Sequence, residues 1–271
     1  MKQLQKNARA VFVSAGLAIG VLGFSAGVNA GLDYSGYGEL YVQLVDVTNT
    51  NCVPDQTGGN CRANGNWSVS SSGSIFESGS SSSGSGVAST DISLFPTIDW
   101  VIGDQNVQYA ESYGDAGVSS PGAGSASSYA LTDFDIFVEN TFRGEGALSL
   151  DFIFDYSIFL SADLGFYPPA FPNEDGGAYA GIHLFDDFSD LLETSTAVFV
   201  GGDTTSDSVT LNGSWTFTLL KGETNSLTGY LDTDGSATAV PVPPTVWLLV
   251  CGLLGLIWLR GTASKKTLTN Y

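Results

Sequence analysis

Carboxylates are the side chains with which this sequence could do chemistry, since it holds 28 Asp and Glu residues against nine Lys and Arg. Serine-type hydrolysis needs a nucleophile, a histidine base and oxyanion donors. The body of the chain, 31–236, has no Gly-x-Ser-x-Gly motif and only one histidine, His183. The alternation of Ile182, His183 and Leu184 predicts that the histidine points outward from a strand. We therefore expect no catalytic triad.

Glycoside hydrolysis is the one catalytic option that the composition leaves open, because it uses two carboxylates about 5 to 10 Å apart. Asp151 and Asp155 share one face of a predicted strand, but their spacing separates them by about 13 Å. With so many acidic residues, chance pairs carry no information, and we expect a protein that is not an enzyme. These side chains are better suited to binding calcium, which takes about six to eight oxygen ligands.

Two clusters are candidate calcium ligands. Asp232 and Asp234 lie in the sequence Asp-Thr-Asp-Gly-Ser, which is half of an EF-hand loop and lacks its closing Glu. A plain turn after the last strand is the alternative. Asp186, Asp187 and Asp190 could share a cation within one loop. A cation would also offset the self-repulsion of the acidic body, so millimolar calcium is expected to stabilise it.

The charge distribution excludes nucleic acid as a partner. Every acidic residue lies between Asp33 and Asp234, where only Arg62, Arg143 and Lys221 are basic, so this stretch carries 3 − 28 = −25. Binding to phosphate backbones depends on Lys and Arg side chains that neutralise them. The negative charge of this stretch also repels anionic membrane surfaces.

Period-two alternation dominates the body. It is clearest at 147–158, 133–138 and 214–219, where apolar and polar residues alternate as in half-buried antiparallel strands. Further strand candidates are 39–47, 92–102, 106–111, 178–185, 197–200, 208–211 and 226–231. About ten short strands predict an all-β, antiparallel β-sandwich of jelly-roll type over 31–236. Residues 186–193 are expected to form a loop or a short helix.

Two serine- and glycine-rich segments, 68–90 and 112–128, interrupt these strands. They are poor in apolar residues, which predicts long, mobile, solvated loops. Such loops are either inert linkers or places of O-glycosylation or of contact with a matrix polymer.

Cys52 and Cys61 bracket a turn-rich segment that contains Pro54, Gly58 and Gly59. In an oxidising compartment the two cysteines are expected to form a loop-closing disulfide that contributes about 2 to 3 kcal/mol. A zinc site is disfavoured, because it needs four ligands and the chain has a single histidine.

Both ends of the chain carry the pattern of export signals. Residues 1–30 combine a basic start, an apolar stretch and a small-residue site at Ala30, which predicts a signal peptide that is cleaved before Gly31. Residues 246–259 form an uncharged apolar block that is short for a permanent membrane span. The basic residues Arg260, Lys265 and Lys266 follow this block, which places the tail end in the cytoplasm and the body outside.

The tail, 237–271, places Val240, Pro241, Val242 and Pro243 ahead of this apolar block. The arrangement resembles the sorting signal of PEP-CTERM proteins, in which a Val-Pro-x-Pro motif precedes a membrane helix. Val242 stands where that motif most often has Glu, and the basic residues are more spread out than in the family. The resemblance implies recognition by an exosortase in the inner membrane, cleavage near the motif, and delivery to the outer surface or matrix of a Gram-negative bacterium.

The sequence therefore predicts an exported surface or matrix protein with a structural or adhesive role in the exopolysaccharide or biofilm layer. The alternative is a calcium-dependent carbohydrate-binding module or a glycoside-active jelly roll. In that case exposed aromatics such as Trp67, Trp100 or Tyr109 would stack on sugar rings. A row of aromatic residues on one sheet face would favour this alternative.

We predict that the mature protein lacks both ends, because a signal peptidase removes residues 1–30 and an exosortase cleaves near Val240. Intact-mass measurement on protein recovered from the cell surface tests this. A mass that includes either segment would contradict the corresponding processing step.

Overall fold

The computed structural model describes residues 31–50, 63, 65–117, 123–144, 148–167, 175–186, 189–239 and 252–254. Within these residues the chain forms eleven β-strands. They are β1 (Gly31–Asn49), β2 (Trp67–Ser83), β3 (Ser85–Ser93), β4 (Ile98–Asp99), β5 (Gln105–Gly117), β6 (Gly124–Asn140), β7 (Leu150–Tyr167), β8 (Asp175–Asp186), β9 (Asp190–Phe199), β10 (Ser206–Leu219) and β11 (Thr224–Ala239). Residues 252–254 are helical, and no helix in the described part is long and apolar enough to cross a membrane.

The strands form two antiparallel sheets that pack face to face. Sheet A has the order β10-β7-β1-β5-β3, and sheet B has the order β4-β2-β6-β11-β8-β9. The prediction of an all-β, antiparallel protein is confirmed, whereas the jelly-roll connectivity stays a prediction. The strands are longer than expected: apart from the two-residue β4, they run from nine to 19 residues. β11 continues three residues past the predicted boundary of the body at residue 236.

The period-two patterns that predicted strands also show correctly which side chains face inward. In β7, Leu150, Phe152 and Phe154 are fully buried, and Phe217 on β10 is 7% exposed. These side chains belong to a large core cluster of aromatic and aliphatic residues drawn from both sheets. Burying a side chain of this size stabilises the fold by about 1.5 to 3 kcal/mol.

A second, smaller core cluster lies nearer the start of β1 and is built from small residues. Six of its ten buried members are alanines. Polar contacts cross between the sheets in the same half of the sandwich: the Tyr34 hydroxyl bonds the Ser128 hydroxyl at 2.8 Å, and Ser112 bonds Thr233 at 2.9 Å. These hydrogen bonds allow the polar groups to be buried, because each buried polar group without a partner would lower the stability of the fold by about 1 to 3 kcal/mol.

The two sheets come into backbone contact at Gly36, on the inner face of β1. A Cβ atom there would overlap the backbone carbonyl oxygen of Tyr179 and lie 3.1 Å from that of Asp234. The neighbours of Gly36 within sheet A are Ser112 and Ala162, which are also small. Facing sheets ordinarily lie about 10 Å apart with side chains between them, so backbone contact here requires glycine.

The serine- and glycine-rich segments are strands, and the prediction of long solvated loops at 68–90 and 112–128 is wrong for their described residues. β2 pairs with β6 over nearly its whole length. The Ser81 and Ser127 hydroxyls bond at 2.9 Å, and those of Ser83 and Ser125 at 2.7 Å. Low hydrophobicity is tolerated because β2 lies near the edge of sheet B and leaves much of its surface in water. Gly84, at φ 63°, then turns the chain toward sheet A.

Two further predictions of secondary structure differ from the structure, and several predicted sites lie outside the described residues. Residues 92–102 form the end of β3 and the short β4 instead of one strand. Residues 186–193 were expected to form a loop or a short helix, but among those described Asp186 ends β8 and 190–193 begin β9, so they are mostly strand. Both signal segments lie outside the described residues, apart from 237–239 and 252–254. The same is true of Cys52, Cys61, Asp187, Val240 to Pro243, Arg260, Lys265 and Lys266.

We predict that Gly36→Ala lowers the free energy of unfolding by about 1 to 3 kcal/mol, because its methyl group forces the sheets apart. Urea denaturation measures the change. Ser35→Ala is the matched control: it lies one residue away on the outer face and should change stability by less than about 0.5 kcal/mol. Equal effects of the two substitutions would show that the sheets are not in contact at Gly36.

Candidate functional site

A cleft of about 280 Å³ lies on the outer face of sheet B. Its floor is formed by β11, β8 and β9, where Asp232, Gly181 and Ser195 lie side by side in register. Gly181 has no side chain, which leaves a depression between the two polar residues. A Cβ atom at Gly181 would overlap the Tyr179 hydroxyl, so glycine also gives the tyrosine side chain its room.

Aromatic rings form the walls of the cleft. Tyr179 lies two residues before Gly181 on β8, and Tyr230, 37% exposed, lies two residues before Asp232 on β11. Phe76 comes from β2, where the register with β6 shifts between Ile75 and Glu77. Such a bulge re-aims a side chain, and Phe76 is 68% exposed. The cleft therefore combines apolar ring surface with a polar floor.

Asp232 is the central charged group of the cleft. Burial, and then the neighbouring charge of Asp234, raise the pKa of its carboxyl above the usual value. Burial and then the charge of Asp232 raise the pKa of the Tyr179 hydroxyl, while a hydrogen bond with Ser195 lowers it. No hydrogen bond to the Asp232 carboxylate is found among the described residues. Its oxygens are therefore available to a ligand that donates hydrogen bonds.

His183 and Glu193 complete the cleft. The two residues face each other across β8 and β9, and the His183 Nε2 lies 3.3 Å from Asp190 Oδ1. The prediction of an outward His183 is confirmed, since its side chain is 39% exposed while Ile182 and Leu184 are buried. The imidazole ring also lies 5.5 Å from the Phe185 ring, at the rim of the cleft.

The predicted calcium ligands are placed in different settings. Asp232 and Asp234 lie on the outer face in the middle of β11, so neither half an EF-hand loop nor a terminal turn describes them. Asp186 accepts hydrogen bonds from the backbone and hydroxyl of Ser189, which fixes the β8–β9 turn. In the part of the chain that is described, no group of three or more metal-ligating side chains is found. Calcium binding stays a prediction.

The three aromatic residues predicted to contact sugar also lie in different settings. Trp100 is 2% exposed and its indole N–H donates to the Ser71 hydroxyl, so it is a core residue and that prediction is wrong. Trp67 is half-buried with its ring edge against Phe152. Tyr109 lies on the outer face of sheet A, where its ring is 6.1 Å from that of Tyr37.

Sequence reasoning did not identify Tyr179, Tyr230, Phe76 or Glu193. Alternation along β8 does place Tyr179, Gly181 and His183 on one outward face, and that signal could have been followed. The pairing of β8 with β11 and β9, which assembles the cleft, is not visible in the sequence. Comparison with protein-family models, curated proteins and solved structures gave no significant match.

We predict that Asp232→Asn raises the melting temperature at neutral pH. A carboxyl with a raised pKa binds protons more tightly in the folded state, so its ionisation lowers stability as pH rises above the usual value of 3.8. The gain should be complete above the native pKa and absent at about pH 3, where both states are protonated. Thermal melts across this range provide the test.

Asp155→Asn is the control, because Asp155 is exposed on sheet A and its substitution also removes one negative charge from the acidic protein. That general effect should be smaller and should fade in high salt. A gain from Asp232→Asn that matches the control, or that persists at low pH, would contradict the burial of Asp232 as its cause.

Proposed function

We propose that this protein is an exported, non-enzymatic surface or matrix protein that binds carbohydrate through the cleft on sheet B. One observation carries the proposal. The Tyr179 ring lies over Gly181 and next to Asp232, and Tyr230 lines the same cleft. A small-molecule site typically combines apolar walls with a few convergent polar groups, and this cleft has both.

Carbohydrate is the ligand class that matches these groups. A sugar ring has an apolar C–H face, which packs on an aromatic ring, and an edge of hydroxyl groups, which donate and accept hydrogen bonds. Tyrosine serves such a ligand well because its ring is apolar and its hydroxyl is polar. Asp232 and Glu193 supply acceptors, and Ser195 supplies a hydroxyl. An acidic sugar is disfavoured, because it would add charge to a stretch that already carries −25 by the count above.

Glycoside hydrolysis is a second candidate, and one observation favours it. Asp232, whose pKa is raised, and Glu193 lie two strands apart on the cleft. Two strand spacings of about 4.8 Å and an offset of two residues along the strands place their backbones about 12 Å apart. The two side chains must therefore lean toward each other to reach the separation of about 6.5 to 9.5 Å that inverting enzymes use. Cleavage of the bound oligosaccharide, with loss of cleavage in Asp232→Asn, would identify this activity.

Export and sorting are proposed on the sequence alone. The signal peptide pattern at 1–30 and the likeness of 237–271 to a PEP-CTERM tail support passage through the inner membrane, with signal peptidase and exosortase as processing partners. A membrane helix at 246–259, jelly-roll connectivity, a Cys52–Cys61 disulfide and weak calcium binding belong to the same proposal. An adhesive role in the exopolysaccharide layer is what a carbohydrate-binding surface protein would perform there.

We predict that the exported protein binds neutral oligosaccharides on a glycan array, and that Tyr230→Ala weakens this binding about tenfold or more. Loss of a central aromatic contact commonly costs about 2 kcal/mol in recognition. Titration calorimetry with the oligosaccharide that the array selects measures the change.

The matched control is Phe137→Ala, which removes an equally exposed ring, 40% against 37%, from the same sheet face. It lies six residues along β6 from Leu131, which lines the cleft, or about 20 Å. Unchanged affinity is expected for the control. Absence of glycan binding, or equal losses in both variants, would remove the cleft as the binding site.

A further inference from the structure

The outer face of sheet A carries negative charge without countercharge. Carboxylates occupy outward positions on four of its five strands, for example Asp33, Glu39, Asp91, Glu111, Asp115 and Asp163. On the described outward positions of these strands there is no Lys, Arg or His. An isolated charge of this kind is stabilised by a cation, and the face offers none of its own.

A row of aromatic rings crosses the middle of this face. The row runs from Phe159 on β7 through Tyr37 on β1 to Tyr109 on β5. The Tyr37 ring centroid lies 6.0 Å from that of Phe159 and 6.1 Å from that of Tyr109. Glu39 lies between Phe159 and Tyr109 in the strand register. The Tyr37 hydroxyl donates to Glu39, and the Tyr109 hydroxyl donates to Asp91 at 3.3 Å. Each tyrosine in the row therefore holds a carboxylate beside its ring.

One carboxylate on this face also lacks hydrogen-bond partners. The Asp33 Oδ1 atom is buried and unpaired within the described structure. Gly165 on β7 leaves the space for it, since a Cβ atom there would overlap the carboxylate. Asp115 lies directly opposite Asp33, and burial and then that neighbouring charge raise the pKa of its carboxyl. Cross-strand packing stabilises a sheet and explains the ring row, but it explains neither the charge nor this orphan oxygen.

We propose that the outer face of sheet A is a second binding site, for a polysaccharide that carries free amino groups. The ring row takes the apolar faces of the sugar units, and the flanking carboxylates take their ammonium groups. An ammonium near a tyrosine ring is also attracted to the ring itself. A basic peptide fits this face less well, because each long Lys side chain loses rotamer freedom when it is held in place.

This site is independent of the cleft on sheet B, since the two lie on opposite outer faces of the sandwich. One molecule can therefore hold two polymer chains at once. A protein that does this cross-links its polymer, which is a further function beyond carbohydrate recognition at one site.

Titration calorimetry with an oligomer of glucosamine tests the proposal, using the Tyr230→Ala protein so that the cleft contributes little. Binding should be present, should weaken as salt is added, and should be lost when the same oligomer is N-acetylated. Phe159→Ala and Tyr109→Ala should each weaken the affinity for the glucosamine oligomer about tenfold, because each removes one well-placed aromatic contact to a cation. Phe137→Ala on the other sheet should leave it unchanged, and thermal melts establish that every variant is folded.

Three results would overturn the proposal: no binding of the glucosamine oligomer, equal binding of its N-acetylated form, or loss of affinity in the control variant as large as in Phe159→Ala. Polylysine that binds as tightly, with no effect of Phe159→Ala, would also overturn it, because the face would then be a general polyanion. None of these results bears on the cleft, whose own test uses wild-type protein and Tyr230→Ala.

Discussion

The backbone of β1 touches the backbone of sheet B at Gly36, and nothing larger than a hydrogen atom fits between them. This contact determines how the sandwich is filled. Around it the inward residues are small, and six alanines contribute to the smaller core cluster. Away from it the sheets hold Phe134, Phe152 and Phe154, which are fully buried. Large and small inward residues thus occupy different halves of one interior, and dense packing is achieved in both.

The same contact links the interior to the cleft. The carbonyl oxygen of Tyr179 faces Gly36 on the inside of sheet B, while the Tyr179 ring forms a wall of the cleft on the outside. Gly181, two residues later, leaves the space that the Tyr179 hydroxyl needs. The cleft is therefore supported by packed backbone beneath it, and strands hold side chains more firmly than loops do. In the part of the chain that the structure describes, the outer faces of both sheets carry carboxylates and aromatic rings, which alternate with the core positions.

Local sequence patterns predicted the strands well and their assembly poorly. Alternation at 147–158 identified β7 and its buried face, because the pleat of a strand gives a period of two whatever its partner is. The serine-rich β2 gave no such signal, since its stability comes from pairing with β6 and not from its own apolar residues. Trp100 was expected on the surface, yet a bond from its indole N–H to Ser71 allows its burial. Asp232 was identified as a candidate ligand-binding residue, but Tyr179 joins it only through the pairing of β8 with β11, which are distant in sequence.

We propose above that the cleft over Gly181 binds a sugar. Amide chemical shifts recorded by NMR during titration with the selected oligosaccharide test it most directly, because they report position residue by residue. If the sugar binds in the cleft, the largest shifts fall on Gly181, Ser195, Tyr230 and Asp232, on three neighbouring strands of sheet B. Saturable shifts that leave these residues unchanged, and fall elsewhere on the protein, would contradict it.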